Sequence, residues 1–345
     1  MGIQIQEVDT RSAPESLLAE MHAYYVPLHA EELPDDPPMP FERQVADWRN
    51  IREDESVPRW LLRVDDEIAA VAVAFGNLEQ NLDNAFARIH VRPDLRGQGL
   101  GGRLARPVFD FLAEDGRKRL STYIVHGRPE AALLERLGLK SVYREKRSRL
   151  IVADVDMDLM NSWIERAAER ASDYELIYLE MPFPDDVVEK YCELQFQMNT
   201  APREDFEEDD QVITPEMWRD NEEKMSSSFS ELHTYVAVHK PTGDFVGSTT
   251  IITDKLQPEQ AWQWETVVHP DHRNRGLGRW LKGANIVKVV EERPKADRID
   301  TGNAGSNEPM LNINIAMGFK PILVTDAWQG DLATARDRLA SSYRE

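Results

Sequence analysis

His90-Val91-Arg92-Pro93-Asp94-Leu95-Arg96-Gly97-Gln98-Gly99-Leu100-Gly101 is answered half a chain later by Val267-Val268-His269-Pro270-Asp271-His272-Arg273-Asn274-Arg275-Gly276-Leu277-Gly278. The two share the frame V-x-P-D-x-R-x-x-G-L-G without a gap: Val91 and Val268, Arg96 and Arg273, and Gly101 and Gly278 are each 177 residues apart. In a sequence of 345 residues this spacing predicts a tandem duplication of one domain, not a short solenoid repeat.

The flanks repeat in the same order. Residues 3–8 and 174–181 read as opening strands, each followed by a proline-marked helix, over 14–25 and 184–198. A strand pair precedes each loop, 60–64 with 68–75 and 234–239 with 246–253, and Pro241-Thr242-Gly243-Asp244 supplies the second turn. Helices over 102–115 and 279–292 follow, then strands over 119–125 and 298–301. A short helix ending in Leu137-Gly138-Leu139 or Met317-Gly318-Phe319 and a last strand close each half. The expected division is a first domain over 1–155, a connecting helix within 156–173, and a second domain over 174–345. Acidic segments 31–38 and 204–210 read as loops.

In each copy a strand ends at a proline, an arginine follows, and glycines open a helix. Unpaired N–H groups at a helix N-terminus, reinforced by its dipole, suit a phosphate, and glycine lets its oxygens approach the main chain. Gly97, Gly99 and Gly102 fit the dinucleotide pattern G-x-G-x-x-G. The second copy has Asn274 and Arg279 at those places, and neither half shows an acid ending the next strand, so nicotinamide chemistry is excluded. Neither copy contains the Gly-Lys-Ser/Thr of a nucleotide-triphosphate loop.

A strand ending V-x-P, then R-x-x-G-x-G opening a helix, resembles the acetyl-CoA-binding motif of the GNAT N-acetyltransferase superfamily. Asn307, eleven residues before Gly318 of Met317-Gly318-Phe319, fits the same pattern, and 301–310 strengthens the match to tandem GNAT proteins common in actinobacteria. The resemblance implies an α/β (α+β) fold of two GNAT-like domains, each a mixed, mostly antiparallel, splayed sheet flanked by helices. It implies acetyl-CoA as co-substrate, held by Val267, Val268, His269, Arg273, Asn274, Arg275, Gly276, Leu277, Gly278, Arg279, Asn303 and Asn307. The matching set in the first half is Val91, Arg96, Gly97, Gln98, Gly99, Gly101 and Gly102.

The implied reaction is direct attack of an amine on the thioester. An alkylammonium of pKa ~10.4 is free amine only to about one part in 10³ at pH 7, so a base is needed. Glu265, three residues before Val268, stands where many GNAT enzymes keep a catalytic glutamate; it reads as that base, or as a strand carboxylate paired with Arg273 or Arg275. Main-chain N–H groups at 267–269 suit the thioester oxygen. Asn314 stands where the family often has a tyrosine, and an amide can donate a hydrogen bond to the thiolate but supplies no proton. In the first half Arg88, Gly127 and Leu134 stand at the positions of Glu265, Asn307 and Asn314, so that half is expected to be degenerate. His90 reads there as a structural histidine or a substitute base, and Tyr123 and Tyr235 as packing residues. The leading expectation is an amine N-acetyltransferase with its second half catalytic. The alternative is a non-catalytic acyl-CoA-binding or sensor protein.

Composition sets the outer limits. Lys and Arg number 41 against 62 Asp and Glu, a formal charge of −21, which opposes nucleic acid and anionic lipid and favours a cationic small-molecule acceptor. The run 204–210 is expected to line or steer toward that acceptor's pocket. Cys192 is the only cysteine, which excludes an intrachain disulfide; its helical apolar setting reads as core. His269 and His272 read as surface or phosphate-side residues, with no metal site. The longest apolar run, 68–75, is far short of the roughly 20 residues of a membrane helix. Met1-Gly2-Ile3-Gln4-Ile5-Gln6 alternates like a strand and lacks signal-peptide features. A cytoplasmic monomer or homodimer is expected.

Overall fold

The computed structural model describes residues 2–342; Met1, read with the opening strand, and 343–345, read with the second domain, lie outside them. The chain forms two compact units, one of residues up to 144 with 204–209 and those from 324, the other of 145–203 with 210–323.

The first unit contains β1 (Ile3–Val8), α1 (Glu15–Glu32), α2 (Phe41–Arg49), β2 (Glu55–Ser56), β3 (Arg59–Val64), β4 (Glu67–Asn77), β5 (Asn84–Val91), α3 (Leu100–Glu114), β6 (Arg119–Val125) and α4 (Ala131–Leu137). β7 (Lys140–Ile151) then leads into the second unit, with α5 (Met157–Arg170), β8 (Tyr174–Glu180), α6 (Asp185–Gln195), α7 (Pro215–Ser227), β9 (Ser230–His239), β10 (Asp244–Asp254), β11 (Gln260–Val268), α8 (Leu277–Glu292), β12 (Arg298–Ala304) and α9 (Glu308–Met317). β13 (Lys320–Asp331) and α10 (Leu332–Ser341) end the described chain.

Both units carry one sheet plan. In the first the order is β1-β3-β4-β5-β6-β13, antiparallel except for β5–β6. In the second it is β8-β9-β10-β11-β12-β7, antiparallel except for β11–β12. The parallel pairs are short: β5 meets β6 only over 84–86, and β11 meets β12 only over 260–263. Beyond these residues the strands part, opening a V beside the repeated loop. The fold class is therefore the mixed, splayed, helix-flanked one expected.

The boundaries at 155 and 174 do not coincide with the compact units. Residues 325–331 of β13 pair with β6, and residues 145–151 of β7 pair with β12. Each unit thus takes its last strand from the other half of the sequence, because β6 and β12 each need a partner on the side away from the V. Three helices also escaped the sequence reading, α10 at the end of the described chain among them. α2 buries Trp48 on the spacing Phe41, Val45, Trp48, and α7 is capped by Thr214 and buries Trp218.

Of the acidic run, 204–209 group with the first unit, while Asp210, paired with Arg203 at 2.9 Å, groups with the second. Glu207 pairs with Arg119 at 2.9 Å and exchanges main-chain hydrogen bonds with the Gln329 amide, while Asp209 N–H donates to Asn81. These main-chain bonds hold it against the starts of β5 and β6. No helix among the described residues is long and apolar enough to cross a membrane.

Candidate active site

The two repeated loops follow one backbone path. Gly97 and Gly99 have φ of 77° and 77°, and their counterparts Asn274 and Gly276 have 63° and 85°. Asn replaces Gly at the first left-handed position because Asn tolerates it better than most side chains. Gly99 and Gly276 stand at the N-caps of α3 and α8, and a Cβ added at Gly97 or Gly276 would meet nothing within 4 Å. The space before each helix is therefore open to a ligand that must approach the main chain. The first-turn N–H groups of α3, including Gly101 and Gly102, and of α8, including Gly278 and Arg279, have no intrahelical acceptor and face that space.

The arginines do something else. Arg96 Nε donates to Val91 O at 3.1 Å and Arg273 Nε to Val268 O at 3.0 Å, so each ties its loop back to the strand it left. The guanidinium of Arg273 then donates to Thr200 Oγ1, whereas that of Arg96 meets Glu31 at 2.7 and 2.6 Å. Arg128 shares Glu31, and these arginine hydrogen bonds hold its carboxyl down to about 2. This carboxylate stabilises the fold above its unfolded pKa near 4.5, and the contribution is lost as pH falls toward 2. Glu31→Gln should therefore shrink the difference in melting temperature between pH 6 and pH 3, and an unchanged difference would assign acid lability to other groups.

Of the remaining expected contacts, Arg275 lies over the Tyr174 ring and Arg279 over Trp163, at 6.0 and 5.5 Å from the centroids. Gln98 is exposed at the tip of the first loop, and Leu277 is buried, offering only its main chain. His269 Nδ1 accepts from Asp271 N–H, and His272 Nδ1 meets Tyr174 Oη at 2.8 Å. Among the described residues no group of His, Cys, Asp and Glu is arranged to hold a metal. Cys192 is buried, and burial pushes its thiol up to about 11, far from a nucleophile's range.

At the open end of the second V, β11 is irregular. Its register against β10 shifts between the pairs Thr249–Thr266 and Ile251–Gln263, a bulge at Trp264 and Glu265. The β4–β5 pair runs from Ala70–Val91 to Phe75–Phe86 without a shift. Counting from the loops alone conceals this extra residue. The bulge presents Glu265, whose Oε1 accepts from Tyr191 Oη at 2.9 Å and from Thr250 Oγ1 at 3.1 Å. Its Oε2 is buried without a donor among the described residues. Burial raises its pKa despite the hydrogen bonds that oppose the shift. Neither Arg273 nor Arg275 pairs with it.

Opposite, Asn314 is buried and donates from Nδ2 to Asn303 Oδ1 at 2.6 Å, leaving its own Oδ1 without a donor among the described residues. Asn303 and Asn314 thus form one unit. Asn307 instead caps α9, accepting from Met310 N–H at 3.4 Å, so its side chain is engaged by its own helix.

The first unit has a cleft lined by different residues. A cavity of about 580 Å³ follows its V, lined by the loop, Ala87, Ala105, Thr122 and Leu134. Arg88, at the glutamate's place, pairs with Glu32 at 3.1 Å. Burial, with Arg88 and Arg96 adding to it, drives His90 down to about 3, too weak a base to serve as Glu265's substitute.

The sequence matches the acetyltransferase (GNAT) family over residues 19–139 and again over 197–312. The chain belongs to the GNAT acetyltransferase family. A tandem GNAT protein from the clavulanic acid biosynthesis pathway is similar in fold, with a TM-score of 0.77 at 20% identity, covering 96% of this chain and 99% of that one. A GCN5-related N-acetyltransferase from Sphaerobacter thermophilus aligns with a TM-score of 0.68 at 14% identity, over 96% of both chains. No curated protein matches the sequence. Acetyl-CoA, the typical GNAT co-substrate, suits these residues: left-handed glycines leave room before each helix, and the V leads to orphaned polar atoms in the second unit.

Proposed function

We propose that the protein is an acetyl-CoA-dependent N-acetyltransferase whose second unit transfers acetyl to the primary amine of a small, cationic acceptor by direct attack on the thioester. The observation that carries this reading is Glu265, with one oxygen held by Tyr191 and Thr250 and the other buried without a donor among the described residues. A carboxylate whose pKa is raised by burial is a stronger base toward an ammonium than an exposed one. Tyr191 and Thr250 fix its direction, the bulge brings main-chain N–H groups toward the acyl oxygen, and α8 presents its first turn to the pyrophosphate. The first unit, with a loop and cleft but Arg88 paired to Glu32, supports binding without transfer. The net charge of −21 supports a cationic acceptor in a cytoplasmic setting, with neither nucleic acid nor membrane as partner, in a monomer or homodimer.

The test is thiol release from acetyl-CoA across a panel of amino sugars, polyamines, aminoglycosides and peptides. Turnover with a cationic member supports the reading. Tight acetyl-CoA binding with no turnover on any acceptor would favour a sensor.

A further inference from the structure

The second unit buries a lysine that the reaction above does not use. Lys282 is 1% exposed and has neither a hydrogen bond nor an ion pair among the described residues. Its helix, α8, places it on a defined face. One turn earlier, a Cβ at Gly278 would lie 3.5 Å from Ile313 of α9, and one turn later Asn285 donates to His233 O and Thr249 O. Lys282 lies between these two on the same side, by the i, i+4 and i+7 spacing of a helix. This is the side that meets α9, the helix carrying Asn314, whereas Glu265 faces Tyr191 of α6.

The first unit shows what that position faces. Gly101 and Gly278 correspond in the repeat, so Ala105 corresponds to Lys282, and Ala105 lines the 580 Å³ cleft. The strand registers, Asn84 opposite Arg119 and Gln260 opposite Arg298, make Ala87 the counterpart of Gln263, and Ala87 lines the same cleft. The apolar wall of the first cleft is therefore replaced in the second by Lys282 and Gln263. Gln263 Oε1 is buried without a donor among the described residues, as are Asn285 Oδ1 one turn along α8 and Asn314 Oδ1 on α9. A cleft that needs only to hold a pantetheine arm has no use for a buried amine.

We propose that Lys282 is the proton donor to the departing coenzyme sulfur. The assignment rests on the acetyl-transfer reading. As the amine nitrogen bonds to the acyl carbon and the C–S bond breaks, the acceptor's proton goes to Glu265 and an N–H proton of the Lys282 ammonium goes to sulfur. Solvent then returns the proton from Glu265 to the Lys282 amine. Burial alone brings this lysine down to about 7, with no charged group contributing, so both of its protonation states are populated at neutral pH. An alkyl thiol such as that of cysteine titrates near ~8.5, close enough for a proton to pass between the two groups. Asn314 then needs only to orient groups, which an amide can do.

The test uses the full chain with CoA itself. The ultraviolet absorbance of the thiolate reports the titration of bound CoA, and a Lys282 cation beside sulfur should place the wild-type midpoint roughly 1–3 pH units below that of Lys282→Met. In turnover, Lys282→Met should lose roughly 10²–10⁴-fold in kcat together with the alkaline limb near pH 7. Lys282→Arg should keep the low thiol midpoint and still lose kcat, since a guanidinium does not release its proton. If Lys282→Met does not fold, Lys282→Ala, carrying the residue of the first unit, serves instead. An identical thiol midpoint in a folded variant that binds CoA overturns the assignment and leaves the acetyl-transfer reading intact. CoA stoichiometry unaffected by Gly276→Asp would instead remove the second unit's coenzyme site, and both readings with it.

Discussion

Gly276→Asp is expected to abolish acetyl transfer, whereas Gly99→Asp should leave most of it. The two positions are matched controls. Both are left-handed helix N-caps, with φ of 85° and 77°. The local backbone cost is therefore similar, and modest because Asp is among the residues that tolerate this conformation. What differs is what lies down the cleft. An aspartate at 276 projects its carboxylate into the space a pyrophosphate must enter, replacing attraction by like-charge repulsion at the helix that leads to Glu265 and Asn314. The same carboxylate at 99 blocks a cleft whose chemical positions hold Arg88, Leu134 and a His90 too acidic to be a base. Steady-state turnover on the best acceptor, with calorimetric CoA stoichiometry for each variant, checks both halves of the statement. Loss of activity in folded Gly99→Asp with tolerance of Gly276→Asp would reverse the assignment of the active unit.

The contrast between the units was legible early because a loop is a local object. The 177-residue repeat and the positions of Glu265 and Asn314 all come from spacings of a few residues around one turn. Features that failed to show depend on long-range pairing. The exchange of β7 and β13 between units is decided by which edge each strand finds, and 140–151 reads as the same strand whichever sheet it joins. The bulge at Trp264 and Glu265 is invisible when the halves are aligned from their loops, since it appears only when β11 is followed back to its pairing with β12. The capping role of Asn307 goes unread for another reason. Asn is both a ligand type and a strong helix N-cap, and the nearby Pro309 was the local signal for the cap. The acidic run makes contacts that its charge does not reveal. Its main-chain groups, not its carboxylates alone, bind Asn81 and Gln329, and no side-chain pattern announces that.

Glu265→Gln should lower kcat/KM at pH 7 by roughly 10²–10⁴-fold, the range for removal of a well-placed general base, while acetyl-CoA affinity stays nearly unchanged. The substitution is conservative where it matters for folding: the amide oxygen can still accept from Tyr191 and Thr250, which hold Oε1 at 2.9 and 3.1 Å. The fold should gain rather than lose. A carboxyl whose folded pKa is raised stabilises the fold fully below its unfolded pKa, and that contribution is lost as pH rises through the folded value. An ionised Glu265 is a buried carboxylate with one oxygen lacking a donor among the described residues, and the variant exchanges that charge for a neutral amide. A melting temperature at pH 7 no lower than wild type accordingly separates lost chemistry from lost structure. The pH profiles should diverge as well. Wild-type kcat/KM should fall on the acid side at a higher pH than an ordinary carboxylate would give, because burial raises the pKa of Glu265. The variant has no such base, so its rate should follow the free-amine fraction, rising about tenfold per pH unit toward the ammonium pKa of ~10.4. The gap between the two thus narrows as pH rises. Equal activity at pH 7 would move proton removal from Glu265 to water or another group, and it would leave the donor-free oxygen on the bulge without a chemical role.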